Sequence, residues 1–240
     1  ADLSAALTDL GQRTPERGPL RIQAAHVCAP RRQRRAERAA SARWPIYPGR
    51  VIAELQGALP DDAVLICDPG TPTPFVASEY ELPRAGRWFI SPRAQGGLGY
   101  AIPGVVGARM ARPDGHIVGL FGDGSFAMSA GDLATVARVG GPTLLILFNN
   151  GCYGWIKALQ ELHHGGRYFS VDFTESIDYV EATRGFGIAG RRVVDPAELG
   201  PALHEALDAC EPRFLELVTA SEHKAIPPVA PWQRLSGEEA

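Results

Sequence analysis

Apolar residues in this chain gather into short runs, and stretches of helical periodicity separate them. His116–Phe121 and Thr143–Phe148 are the clearest runs. Unbroken apolar segments of this length read as strands buried on both faces. Further strands fall at Ala63–Cys67, Trp88–Ile90, Ala189–Val193 and Phe214–Val218. Between them the pattern predicts helices near Pro48–Leu59, Ile102–Ala111, Ala127–Val139 and Pro196–Ala209, with another opened by Ser176. The segment from Asn150 to Thr174 reads as loop-rich. Such alternation predicts an α/β fold: a doubly wound, mostly parallel sheet of about six strands with helices on both faces. Ligands of such a sheet sit at the carboxyl ends of its strands.

The pattern does not extend to the start of the chain. Residues 1–43 hold one short helical repeat, Leu3, Leu7 and Leu10, and then an Arg-, Ala- and Pro-rich stretch with Arg31, Arg32, Arg34, Arg35 and Arg38. This part reads as a linker or the tail of a preceding domain, and residues 44–240 as one domain. An arginine run can grip RNA, but the net charge of −3 gives no overall attraction to nucleic acid or to an anionic membrane, so a solvated helix is the preferred reading. No apolar run approaches the roughly 20 residues that span a bilayer. Cys28, Cys67, Cys152 and Cys210 form no Cys-x-x-Cys pair, which points away from a zinc site or a disulfide framework and towards a reducing cytoplasm.

The chemistry concentrates where the two strongest strands end. Gly122-Asp123-Gly124-Ser125 closes the first, and after residues 125–148, a span of 24, Asn149-Asn150 closes the second. Glycines allow backbone N–H groups to approach phosphate oxygens, and a following helix start and the Ser125 hydroxyl add to the attraction. Asp123 is an anion in a place suited to anions. A carboxylate beside a diphosphate requires a hard divalent cation between them, for which amide oxygens of Asn149 and Asn150 are suitable neutral ligands.

This pairing resembles the metal and diphosphate motif of thiamin diphosphate-dependent enzymes. Two further stretches resemble the acetolactate synthase-like branch. Ile46-Tyr47-Pro48-Gly49-Arg50-Val51-Ile52 with Val64-Leu65-Ile66-Cys67-Asp68 is similar to the opening helix and strand of its carboxyl-terminal diphosphate-binding (PP) domain. Gly96-Gly97-Leu98-Gly99-Tyr100-Ala101-Ile102-Pro103-Gly104 is similar to the loop that cradles the aminopyrimidine. The resemblance covers roughly residues 46–220. It implies thiamin diphosphate and Mg²⁺ as cofactors, with Asp123 and Asn150 as side-chain ligands of the metal and Cys152 as a carbonyl ligand. It places Leu98 as the apolar wedge under a bent cofactor, with Gly96, Gly97, Gly122, Gly124, Ser125, Tyr153 and Gly154 around it and Asp68, Gly70 and Thr71 on the diphosphate side. Trp155, Ile156, Lys157, Gln160, His163 and His164 occupy a stretch that borders the substrate in relatives.

The same resemblance implies a reaction and a partner. The branch acts as decarboxylase, carboligase, lyase or transferase on small 2-oxo acids. Its activating Glu stands on a separate pyrimidine-binding domain that reaches across a subunit interface, and no segment here is similar to that domain. The expected partner is therefore a pyrimidine-domain subunit or the amino-terminal half of the same enzyme, in a hetero- or homo-oligomer. Two alternatives stand beside this reading: another thiamin-dependent C–C lyase or acyl transferase, and a catalytically inactive cofactor-binding scaffold. Retention of all three metal positions weighs against the scaffold.

Overall fold

Six strands form one sheet in which every pairing is parallel, in the order β2-β1-β3-β4-β6-β5. They are β1 (Val64–Cys67), β2 (Phe89–Ile90), β3 (Ile117–Gly122), β4 (Thr143–Asn149), β5 (Ala189–Val193) and β6 (Arg213–Val218). The computed structural model describes residues 9, 29, 32, 33, 35–84, 86, 88–174 and 177–237. The chain divides into two units, 1–37 and 38–240. In the first, residues 32, 33 and 35–37 are helical, with Gln33 donating to Glu37 at 3.2 Å. Leu3, Leu7, Leu10, Cys28, Arg31, Arg34 and Ser176 lie outside the described residues.

Nine helices surround the sheet among the described residues: α1 (Pro48–Ala58), α2 (Pro72–Glu79), α3 (Ala101–Ala111), α4 (Asp123–Ser129), α5 (Leu133–Val139), α6 (Gly154–His164), α7 (Tyr179–Gly185), α8 (Leu199–Leu207) and α9 (Ala230–Leu235). The central strands are apolar on both sides because both sides are covered. On one face Val51, Ile52 and Leu55 of α1, Phe75 of α2 and Leu199 and Leu203 of α8 pack on Leu65, Val118, Leu120, Ile146 and Leu215. On the other, Ile102 and Val105 of α3, Phe126 of α4 and Leu133 and Val136 of α5 pack on Ile66, Phe121, Leu145 and Phe214. The expected doubly wound sheet is present, and it is parallel throughout.

Several element boundaries differ from the expectation. The stretch 127–139 is not one helix: α4 begins at Asp123 itself, and a 3₁₀ turn, Ala130–Asp132, separates it from α5. The segment 150–174, expected to be loop-rich, contains α6, eleven residues closed by Gly165 in the left-handed conformation. Its apolar positions Trp155, Leu159 and Leu162 pack against Ile226, Val229 and Trp232 near the end of the chain, so a distant segment completes that helix's core. Helix α2 was not expected; Pro72 stands in its first turn, where a missing N–H costs nothing. Asp178, not Ser176, caps α7, its side chain accepting the Glu181 N–H at 3.1 Å.

Helix α3 sits unusually close to the sheet. A Cβ on Gly104 would lie 2.7 Å from Ile66 Cγ2, and one on Gly119 of β3 would lie 2.8 Å from Val105 Cγ1. This contact fixes the start of α3, and with it the loop 96–99. At the far end Arg109, 4% exposed, donates to the carbonyl oxygens of Pro113 and Gly115 at 2.8 and 2.7 Å, and also to that of Pro142. It thereby ties α3 to the loops that lead into β3 and β4. Arg109→Met would leave these carbonyls unpaired under apolar cover. We expect a loss of roughly 3 kcal/mol of stability, read as a lower urea midpoint with unchanged m-value.

Candidate functional site

The register of β3 on β4 decides which polar residues meet. Gly122 pairs with Phe148, so Asp123 leaves its strand level with Asn149 and beside Asn150. Asp123, 4% exposed, accepts the Gly124 N–H on Oδ1 at 2.8 Å and the Asn150 and Gly151 N–H groups on Oδ2 at 2.9 and 2.8 Å. These bonds staple two strand ends to one carboxylate. Burial nevertheless pushes its pKa up to about 6, against the lowering effect of the three N–H donors.

The two asparagines have different roles. Asn149 donates to Glu216 Oε1 at 2.7 Å, and the fully buried Glu216 also takes the Arg192 Nε–H at 2.9 Å. Asn149 is thus fixed beneath the sheet end. Asn150 turns the other way: its Nδ2 donates at 3.3 Å both to Thr71 Oγ1 and to Glu222 Oε2, and its Oδ1 faces the Cys152 N–H and Sγ at 3.3 Å. The Cys152 carbonyl accepts the Gly154 N–H at 2.8 Å and keeps a second lone pair. Burial raises the Cys152 thiol to about 11, so it is a neutral thiol at pH 7.

These groups border a cavity of ≈ 420 Å³. Of the residues singled out in the sequence, Gly70, Thr71, Gly96, Leu98, Gly122, Asp123, Gly124, Ser125, Cys152, Tyr153 and Gly154 line it, joined by Trp155 and Ile156. Gly97, which is exposed, and Asn150 stand outside this lining. Asp68 does so as well: its Oδ1 accepts the Tyr100 and Ala101 N–H groups at 2.7 and 2.9 Å, which caps α3 and positions the glycine loop. Leu98 is 39% exposed, an apolar side chain presented to the cavity and not buried in the core. No side chain caps α6, whose first residues face the cavity; with the Gly154 N–H given to the Cys152 carbonyl, those of Trp155 and Ile156 are available to an anion.

Other candidates serve the scaffold. Gln160 holds the following loop through the Phe169 carbonyl and N–H at 3.2 and 2.9 Å, and Lys157 pairs with Asp172. Trp155 packs on Trp232, ring centroids 4.4 Å apart. His163 and His164 lie exposed in the last turn of α6, and neither lines the cavity.

Two charged cavity residues escaped the sequence reading. Arg93 lies exposed at its mouth. Glu222, 1% exposed, accepts the Thr71 hydroxyl on Oε1 at 2.5 Å and approaches Asn150 with Oε2. Burial, with a smaller contribution from Asp123, pushes its pKa up to about 7. The usable signal was topological. Glu222 follows β6, and β6 lies beside β4.

The donor set fits a hard dication bridging to a diphosphate: the buried Asp123 carboxylate and Cys152 line one corner of a cavity bordered by glycines and an uncapped helix start, and Asn150 is hydrogen-bonded to both. Comparison with known proteins gives the family of the cofactor domain. Residues 68–217 match the family model described as thiamine pyrophosphate enzyme, C-terminal TPP binding domain. A Methanococcus aeolicus protein named probable acetolactate synthase large subunit is 30% identical over 193 residues, covering 78% of this chain and 32% of that protein. The acetolactate synthase isozyme 2 large subunit of Escherichia coli is 30% identical over 186 residues, covering 78% and 34%. The solved thiamine diphosphate-dependent 4-hydroxybenzoylformate decarboxylase of Rhodococcus jostii RHA1 superposes with a TM-score of 0.69 at 28% identity, over 77% of this chain and 34% of that one. The chain spans about a third of the length of the relatives it matches.

Asp123 and Glu222 give the cation-free protein a definite pH dependence. Each has a folded pKa above its ordinary value of 3.8 or 4.5, so the folded state holds the extra protons and stability declines as pH rises through the window from about 4 to about 7. Between pH 5 and pH 8 the expected loss is roughly 4 kcal/mol at most. Denaturant melts in chelator should show it, and a dication with a diphosphate ligand should flatten it.

Proposed function

The chain belongs to the thiamine pyrophosphate enzymes through their C-terminal cofactor-binding domain, and from that membership we propose that it supplies the diphosphate-and-metal half of an acetolactate synthase-like site for small 2-oxo acids. The observation that carries the reading is the buried Asp123 carboxylate, fixed by three backbone N–H groups beside Asn150 at the edge of the cavity. When bound, thiamin diphosphate supplies a carbon nucleophile for the carbonyl of the 2-oxo acid and a sink for the electron pair released with carbon dioxide.

The residues of this chain bind and orient. Asp123, Asn150 and the Cys152 carbonyl would hold Mg²⁺ against the diphosphate, whose oxygens would also meet the Ser125 hydroxyl and the N–H groups of Trp155 and Ile156 at the start of α6. Leu98, presented by the loop that Asp68 secures, would support the cofactor between its rings. Tyr153, in edge contact with Phe173 at 4.8 Å, closes over Gly124 and limits water there. Arg93 makes no ion pair among the described residues and is placed to draw an anionic substrate to the mouth. The pyrimidine-binding half and its activating Glu would come from a separate subunit or from further sequence of the same enzyme, in the cytoplasm. The one-third coverage of the relatives supports this division.

Binding and turnover test the reading separately. Asp123→Asn should weaken Mg²⁺-dependent binding of thiamin diphosphate at least tenfold, about 1.4 kcal/mol, by calorimetry. Asn150→Ala should act in the same direction, and the double variant should fall short of the sum because both changes strike one ion. Unchanged binding in Asp123→Asn would remove the metal assignment. Leu98→Ala should instead slow proton–deuterium exchange at the thiazolium carbon more than it weakens binding, in the complex with the pyrimidine-domain partner. Turnover of pyruvate should require that partner. Thiamin-dependent turnover by the 240-residue chain alone would place the activating acid within it.

A further inference from the structure

We infer that Glu222 is a second anionic member of the cation site, so that this chain takes up a divalent cation on its own, before any diphosphate arrives. The inference rests on the reading of Asp123 and Asn150 as holders of the ion. Its basis is the position of Glu222 relative to them. Strand β6 leaves the sheet beside β4, with the Thr219 N–H bonded to the Asn149 carbonyl at 2.8 Å, and the chain then turns Glu222 inward at the strand ends. Asn150 thereby touches two carboxylates: its N–H reaches Asp123 Oδ2 at 2.9 Å, and its Nδ2 reaches Glu222 Oε2 at 3.3 Å.

Neither carboxylate has a positive partner. The side-chain donors on Glu222 are the neutral Thr71 and Asn150, those on Asp123 are backbone N–H groups, and no ion pair involves either residue among the described residues. Two buried carboxylates without a counter-charge are costly, and both border the same cavity. A dication entering that cavity supplies the missing charge, and two carboxylates with an amide oxygen and a carbonyl are a hard oxygen set. One carboxylate alone would leave the ion dependent on the diphosphate for most of its attraction.

Gly154 is a second sign that the position is built. A Cβ there would lie 1.9 Å from Glu222 Oε2 and 2.9 Å from Asn150 Nδ2. Its φ is not in the left-handed region, so what glycine provides here is room for the carboxylate.

Mn²⁺ alone is the probe, titrated into the 240-residue chain without cofactor and followed by the paramagnetic resonance of free Mn²⁺. The wild type should bind one ion. Glu222→Gln keeps the shape and one acceptor oxygen for the Thr71 hydroxyl or the Asn150 amide but loses the charge, and it should bind Mn²⁺ at least tenfold more weakly. Its thermal midpoint without metal should equal or exceed that of the wild type, which also verifies that it folds. Gly154→Ala, which displaces the carboxylate, should weaken Mn²⁺ as well. Equal Mn²⁺ affinity in wild type and Glu222→Gln would overturn the inference. So would a wild type that takes up Mn²⁺ only together with thiamin diphosphate, a result that leaves the proposed function intact. Failure to bind Mn²⁺ even with thiamin diphosphate present would remove both.

Discussion

A single carboxylate holds the ends of the two central strands together. Asp123 accepts N–H groups from its own helix start and from Asn150 and Gly151 beyond the neighbouring strand. In a parallel sheet, strands connected through helices have no hairpin to fix their exits. Here the exits are fixed by this acceptor, and the cavity follows from them. Were the pair to slip by one residue, Asn149 and Asn150 would exchange faces, and the buried Glu216 would lose its amide donor.

The same corner is electrostatically incomplete. Glu216 receives Arg192, but Asp123 and Glu222 are buried against neutral groups only. A structural carboxylate in a folded interior is ordinarily paired with a cation, as Glu216 is. Two that lack one, beside a cavity flanked by glycines and an uncapped helix, describe a place that an ion and an anionic ligand would complete. Stability and binding are consequently set against each other at this point.

Much of this was legible in the chain. The central strands could be read closely: β4 runs Thr143–Asn149 where Thr143–Phe148 was expected, because long apolar runs with β-branched residues have few other uses in a fold of this kind. Gly122-Asp123-Gly124-Ser125 could be placed at a strand end from the apolar run before it, whereas the glycine loop at Leu98 was tied to the same site through its resemblance to the acetolactate synthase-like branch. What could not be read depended on distant contacts. Helix α6 starts at a glycine that exists to admit Glu222, 68 residues away (222 − 154), and its apolar face needs Trp232. Glu222 itself stands in a polar stretch with no local pattern. Its position follows from β6 lying next to β4, an order that local sequence does not state. Asn149 and Asn150 look alike in sequence, and Asn150 was preferred through the resemblance alone; in the structure the alternation of side chains at the strand end turns Asn149 to Glu216 and Asn150 to Thr71 and Glu222.

The central claim is that this corner holds a metal ion that binds a diphosphate. The most direct measurement is a crystal structure of the chain with Mn²⁺ and thiamin diphosphate, using anomalous scattering to locate the ion. The account predicts one anomalous peak in direct coordination to Asp123 and Asn150, with diphosphate oxygens on its other side and the thiazolium ring over Leu98. An ion and diphosphate bound elsewhere, with the Asp123 carboxylate still facing only its backbone donors, would contradict it.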